Sequence, residues 1–340
     1  MEMLQTVGVF FAQTLIIVLA IVAILLTIAA LAMKAKNHKT FELEILNEKY
    51  EDQVQALKEA LLSDDEYKAE RKKIKKENKL KQSEPHSSKP KTFVIDFLKG
   101  DINASETENL REEISTILGV ATPNDEVVVR IESPGGVVHG YGFAAAQLLR
   151  IRAANIPLVV CVDQVAASGG YMMACTANKI LAAPFALVGS IGVVAQVPNF
   201  NRLLKKYDVD YKEYTAGDYK RTVSLFGEIT EKGENKFKEQ LELTHQLFKS
   251  FVSKYRPNMD ISKVATGEFW YGETALTLGL IDTISTSDDY LLMKSKEHQV
   301  VRISFEKKPT LSDKISDLVS KAASLTLKKI FEQNSITKNI

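Results

Sequence analysis

Residues 7–33 form an uncharged stretch of 27 residues, in which only Gln13, Thr14 and Thr27 are clearly polar. Wound as a helix, that stretch reaches about 40 Å, more than the ~30 Å hydrocarbon core of a bilayer. A helix that is apolar all round needs lipid or complete burial. Glu2 precedes the run, no Lys or Arg does, and the run exceeds the apolar core of a cleaved signal peptide. The segment is therefore predicted to be a retained transmembrane anchor. Lys34, Lys36 and Lys39 follow it directly. By the positive-inside rule they favour a cytoplasmic location for the remainder.

The next section, 34–90, reads as a charged stalk and linker. Residues 40–82 lack Gly and Pro, and Phe41, Leu43, Ile45, Leu46, Val54, Leu57, Leu61 and Leu62 suggest a helix with a thin apolar stripe. Eight Lys or Arg fall in 68–81, a composition suited to a solvated stalk or to anionic lipid head groups. Residues 83–91, with Pro85 and Pro90, read as a linker. A compact domain is expected over 91–300, followed by an amphipathic tail, 301–340. Hydrophobic residues at 45% are ample for a core, and a net charge of +1 gives no drive toward nucleic acid. Cys161 and Cys175 are too few for a disulfide framework and read as core thiols.

Within the compact domain, strand-like runs alternate with helical spacing. Strands are expected over 92–97, 126–131 and 157–162, and helices over 105–118, 141–151, 170–178 and 237–255. This alternation predicts an α/β domain with parallel strands. Residues 180–197 also lack charge, but Pro184, Gly189 and Gly192 interrupt them, so they read as buried core.

Candidate chemistry centres on Ala166-Ala167-Ser168-Gly169-Gly170-Tyr171, at a predicted strand-to-helix junction. A serine there can present its hydroxyl as a nucleophile, and the first N–H groups of the following helix can meet an oxyanion. Upstream, Glu132-Ser133-Pro134-Gly135-Gly136 supplies glycines that let backbone approach a substrate. Gly135, Gly136 and Gly169 are the candidate oxyanion donors. Lys220, in Gly217-Asp218-Tyr219-Lys220, is the candidate base. A free lysine titrates near about 10.4, and bringing one to about 7 takes roughly 4 kcal/mol, which burial among apolar groups such as Tyr219 can supply. Ser190 is a hydroxyl inside an apolar run, able either to orient the lysine amine or to satisfy a turn. His139, three residues after Gly136, is the rival base; His245 reads as a surface residue. No G-x-S-x-G elbow, metal spacing, P-loop or dinucleotide fingerprint is present.

These motifs, with Gly189-Ser190-Ile191-Gly192-Val193 and Gly272-Glu273 before Ala275-Leu276, resemble the signal peptide peptidase A family of serine proteases, in its short membrane-bound form. The resemblance covers about 91–300. It implies a ClpP/crotonase-like fold of repeated ββα units, with Ser168 as nucleophile, Lys220 as general base, Ser190 supporting the lysine and no cofactor. It also implies a lysine able to reach the serine across a subunit boundary in a homo-oligomer, and substrates such as remnant signal peptides or membrane-protein segments. The family's better-known members face the periplasm or cell exterior, opposite to the lysine bias. The expectation is a bacterial inner-membrane serine endopeptidase. A catalytically silent membrane scaffold and a crotonase-like acyl-CoA enzyme are the alternatives; the anchor and the Ser168–Lys220 set disfavour the second.

Overall fold

The computed structural model describes residues 39–63, 65–72 and 89–307. The expected anchor at 7–33 and most of the C-terminal tail lie outside them. No helix of the described residues is long and apolar enough to cross a membrane.

One compact unit runs Leu43–Ser304. Its seven-stranded sheet has the order β1-β10-β2-β3-β4-β6-β9. The strands are β1 (Lys39–Ile45), β2 (Lys91–Phe97), β3 (Glu126–Ile131), β4 (Leu158–Val162), β6 (Lys179–Ala182), β9 (Thr283–Ile284) and β10 (Gln299–Lys307). From β10 through β9 all pairings are parallel. A second, three-stranded sheet holds β5 (Val165–Ala167), β7 (Leu187–Gly189) and β8 (Phe269–Tyr271). The chain thus steps from one sheet to the other after β4 and again after β6. The molecule is a mixed α/β fold, as expected.

Both faces of the central strands are covered, which explains their nearly continuous apolar sequence. Phe93, Ile95 and Phe97, with Val127, Val129 and Ile131, point into the larger core. Helices α2 (Thr107–Leu118) and α3 (Val138–Ala153) bury their apolar residues in this core. The alternate residues Val94, Val128, Val159 and Cys161 face a smaller cluster containing Leu46, Tyr290 and Leu291. The expected helix over 40–45 is instead the strand β1. Phe41, Leu43 and Ile45 alternate with Thr40, Glu42 and Glu44, the period of a pleated strand. Helix α1 (Leu46–Leu61) begins only afterwards. Asn47 on α1 donates to Ser295 O and His298 O and accepts from Val300 N–H, so the compact unit extends upstream of residue 91. In the other unit, among its described residues, the Phe41 and Phe305 rings meet at 5.1 Å.

On the smaller-core face, Asp96 accepts two bonds from Arg130, at 2.6 and 2.7 Å, and one from Arg302 at 2.8 Å. Burial alone would raise the Asp96 carboxyl, but the hydrogen bonds and charges of Arg130 and Arg302 outweigh it and hold it below the usual range. A carboxyl lowered by folding stabilises the folded state above its unfolded value, near about 4, and loses that contribution as pH falls through the lowered folded value. Asp96→Asn is therefore expected to cost about 2 kcal/mol at pH 7, by leaving two guanidinium groups poorly paired. The gap to the unaltered protein should close on acidification below about pH 4. Urea unfolding across pH measures both.

Candidate active site

Ser168 ends the short strand β5 and caps helix α4 (Gly169–Ala174). Its backbone is held at φ 51°, ψ −115°, a conformation that L residues adopt only under constraint. The constraint is visible on both sides. Ser168 N–H donates to Gly189 O at 2.8 Å, and Met172 N–H donates to Ser168 O at 2.9 Å. The Ser168 side chain caps no helix N–H, so its hydroxyl has no structural duty at the helix start. Ser190, at the end of β7, also has a positive φ, 53°, and its N–H donates to Glu268 O at 2.6 Å. Two strained serines thus face one cavity.

The glycine turn after β3 is built against the same junction. Ser133 pairs with β5: its N–H donates to Val165 O and its carbonyl accepts from Ala167 N–H. Gly135 has φ +89°, and a Cβ there would come within 2.6–2.8 Å of Gly169 N, Ser168 Cβ and Ala167 O. A Cβ on Gly136 would collide with the Ile102 carbonyl, and one on Gly169 with the Tyr141 ring. These glycines are needed because three stretches of backbone converge here. Gly135 N–H donates to Ser133 Oγ at 3.1 Å, which leaves Gly136 and Gly169 as the better-placed free donors for an oxyanion. Ser133 Oγ in turn bonds the Tyr141 hydroxyl, which donates to Asp101 O at 2.8 Å. Burial pushes the Tyr141 phenol above its ordinary value, keeping it a neutral donor. The motif spacing showed the glycines but not this relay, because Tyr141 arrives from the facing helix.

A cavity of about 530 Å³ joins these elements. Ser168, Ser190, Gly135, Gly136 and Gly169 all line it. Met172 and the buried Phe248 form an apolar side, and Thr244 and His245 add polar groups from helix α6 (Glu231–Tyr255). His245 was expected on the surface; it is half-buried and lines the cavity. His139 is exposed and does not line it. Residues 180–191 are largely core, as expected, whereas 194–197 are exposed, with Val194 lining the cavity.

Within the single chain Lys220 does not line the cavity that holds Ser168. It closes a turn, donating its N–H to Gly217 O at 3.1 Å, on an exposed excursion spanning residues 193–230. Tyr219, expected to wall off the lysine, instead stacks beneath Lys232 and Lys236 of α6. The apolar burial that a lysine base requires is absent around Lys220 here. Arg221 pairs with Glu213 at 3.3 Å. Among the described residues, no group of three or more His, Cys, Asp or Glu is placed to hold a metal.

Gly135→Ala is expected to cost about 3 kcal/mol in unfolding free energy, from backbone strain and overlap together, and at least about 100-fold in peptide cleavage. Gly142→Ala, where a Cβ meets nothing within 4 Å in the interior of α3, should instead add about 0.5–1 kcal/mol. Denaturant titration and steady-state kinetics on both variants give the contrast.

Two family models cover nearly the whole chain: Peptidase family S49 N-terminal over residues 2–148 and Peptidase family S49 over residues 150–301. The chain belongs to peptidase family S49. It is 50% identical over 335 residues to a probable protease SohB of Haemophilus influenzae, covering 95% of this chain and 94% of that protein. A probable protease SohB of Buchnera aphidicola subsp. Acyrthosiphon pisum is 53% identical over 245 residues, 72% of this chain and 73% of that one. Among solved structures, a variant of the 1510-N membrane-bound stomatin-specific protease, held with a substrate peptide, aligns at 16% identity and TM-score 0.41, over 69% of this chain and 99% of that one. As an S49 peptidase, this protein is a serine peptidase, and the cavity around Ser168 is its candidate centre.

Proposed function

We propose that this protein is a membrane-anchored serine endopeptidase in which Ser168 is the nucleophile and Lys220 the general base. The observation that carries the reading is Ser168 at φ 51°, at the head of α4, facing a cavity walled by Gly135 and Gly136. In this mechanism the Ser168 hydroxyl attacks a substrate carbonyl while the neutral Lys220 amine takes its proton. The oxyanion meets the N–H groups of Gly136 and Gly169. The lysine then returns the proton to the leaving amine, and water releases the acyl group by the reverse route. Ser190, on the cavity wall, orients the lysine amine. The apolar side formed by Met172 and Phe248 suits apolar peptides, including remnants of signal peptides and membrane-protein segments. The crotonase-like reading of the fold is supported by the strands' alternation between two sheets. The uncharged run 7–33 is the proposed single-pass anchor in a bacterial inner membrane, with the catalytic domain on the periplasmic side as in the family.

In this account the Lys220 that serves a given Ser168 comes from a second copy of the chain. The exposure of the 193–230 excursion supports that arrangement: Tyr214 is 90% and Val194 82% exposed, an unusual apolar display for residues with no partner. Mixing the inactive variants Ser168→Ala and Lys220→Ala tests it. Each mixed pair of neighbours holds one intact site if the dyad forms between copies, so activity on an apolar peptide library should return, approaching a quarter to a half of the unaltered level. A mixture as inactive as its components, with mixed oligomers demonstrated, would place the base within the same chain or elsewhere.

A further inference from the structure

His245 stands on α6 one turn before Phe248, whose ring, with Val252, roots the helix in the larger core. Its Nε2 lies 3.2 Å from Ile191 O. A carbonyl offers only lone pairs, so Nε2 carries the hydrogen and donates, whether the ring is neutral or protonated. Ile191 leads into the stretch that lines the cavity together with Gly135 and Gly136. This stretch is otherwise poorly held. Gly192 N–H bonds only back to Ser190 O, and residues 193–198 make no hydrogen bond among the described residues, until Asn199 Nδ2 donates to Ser224 O and Gly227 O and Phe200 N–H reaches Leu225 O. Gly192, Val193 and Val194 nevertheless line the cavity that holds Ser168. The wall is therefore tied at its start by the Ser190 N–H bond to Glu268 O and by the buried Ile191 side chain, and the His245 bond adds a tie from the long helix α6.

We propose that His245 is a positioning residue for substrate binding. By fixing Ile191 O to α6, it sets the separation between the 192–194 wall and the Gly135–Gly136 turn, and so the affinity for the residues flanking the scissile bond. The inference rests on the peptidase reading of the Ser168 cavity. It assigns His245 no part in proton transfer. A ring bound to a carbonyl in both charge states is a strut.

The test uses the full-length protein in detergent or bilayer, with His245→Ala and His245→Gln; the glutamine amide can donate from nearly the same point as Nε2–H. Two measurements are made. Hydrogen exchange at the bonded amides that flank Ile191, those of Ser190 and Gly192, should quicken about three- to tenfold in His245→Ala, the worth of one hydrogen bond, and return toward the unaltered rate in His245→Gln. KM for a peptide substrate should rise by a similar, roughly three- to tenfold factor in His245→Ala, with kcat within about twofold and recovery in His245→Gln. Exchange unchanged in His245→Ala, or equally fast in both variants, would overturn the strut. Quicker exchange with KM unaltered, or a fall in kcat at constant KM, would overturn its role toward substrate. Should the unaltered protein cleave no peptide, the peptidase reading of the cavity fails and the substrate role fails with it; the exchange result then identifies that reading, not the His245 bond, as the fault.

Discussion

Ser168→Ala is expected to lower kcat/KM for peptide cleavage by about 10⁴- to 10⁶-fold, the range found when a nucleophile acting with a base is deleted. The unfolding midpoint should stay where it is. The bonds that hold this residue in its strained conformation are backbone bonds, to Gly189 O and from Met172 N–H, and alanine keeps both. The hydroxyl caps no N–H of α4, so its removal orphans no helix donor. A loss of activity in this variant would therefore report chemistry and not misfolding. Steady-state kinetics beside thermal denaturation separates the two. Activity retained above about 1% would exclude Ser168 as the nucleophile.

Lys220→Ala should cost about 10²- to 10⁴-fold, the usual contribution of a general base, with no measurable change in stability. Lys220 is exposed, and its link to Gly217 O uses the backbone N–H, which alanine also has. The single chain leaves it exposed, without the apolar wall that a lysine base requires. Its effect should therefore depend on assembly. Specific activity of the unaltered protein should fall on dilution through the concentration at which sedimentation shows the copies separating. Residual activity in Lys220→Ala should not respond to dilution in that way. A lysine variant with full activity would transfer the base role to another group.

The central strands were legible because each obeys one rule: in a parallel sheet covered on both faces, every residue is apolar or paired. The run Glu126–Ile131 became β3 with its predicted limits, and Ser168 appeared at the strand-to-helix step its sequence suggested. The glycines at 135, 136 and 169 were recognisable because only a close approach of backbones explains their clustering. Other features depend on long-range contacts. β1 was read as helix since charged residues interleave with Phe41, Leu43 and Ile45, and only its neighbour in the sheet decides for the strand period. β8 is a strand only because Trp270 and its neighbours pair antiparallel with β7, a partner that no local pattern supplies. His245 shows the limit of helical periodicity: spacing tells which face of α6 is apolar, but not that a polar residue at its margin meets Ile191 O. The relay from Gly135 through Ser133 and Tyr141 to Asp101 joins residues 101–141 from three elements, and no local pattern encodes it. The position of Lys220 relative to Ser168 is not encoded locally either, since the exposed excursion carrying it meets α6 through Tyr219 and Lys220 does not line the Ser168 cavity.

The most direct test of the account is covalent labelling of the full-length protein with a small fluorophosphonate, followed by peptide mapping. Such a reagent marks the one serine whose hydroxyl is activated for attack. The account predicts an adduct on Ser168, lost in Ser168→Ala and formed far more slowly in Lys220→Ala. Peptide cleavage that persists with Ser168 unmarked, or an adduct on a different residue, would contradict it.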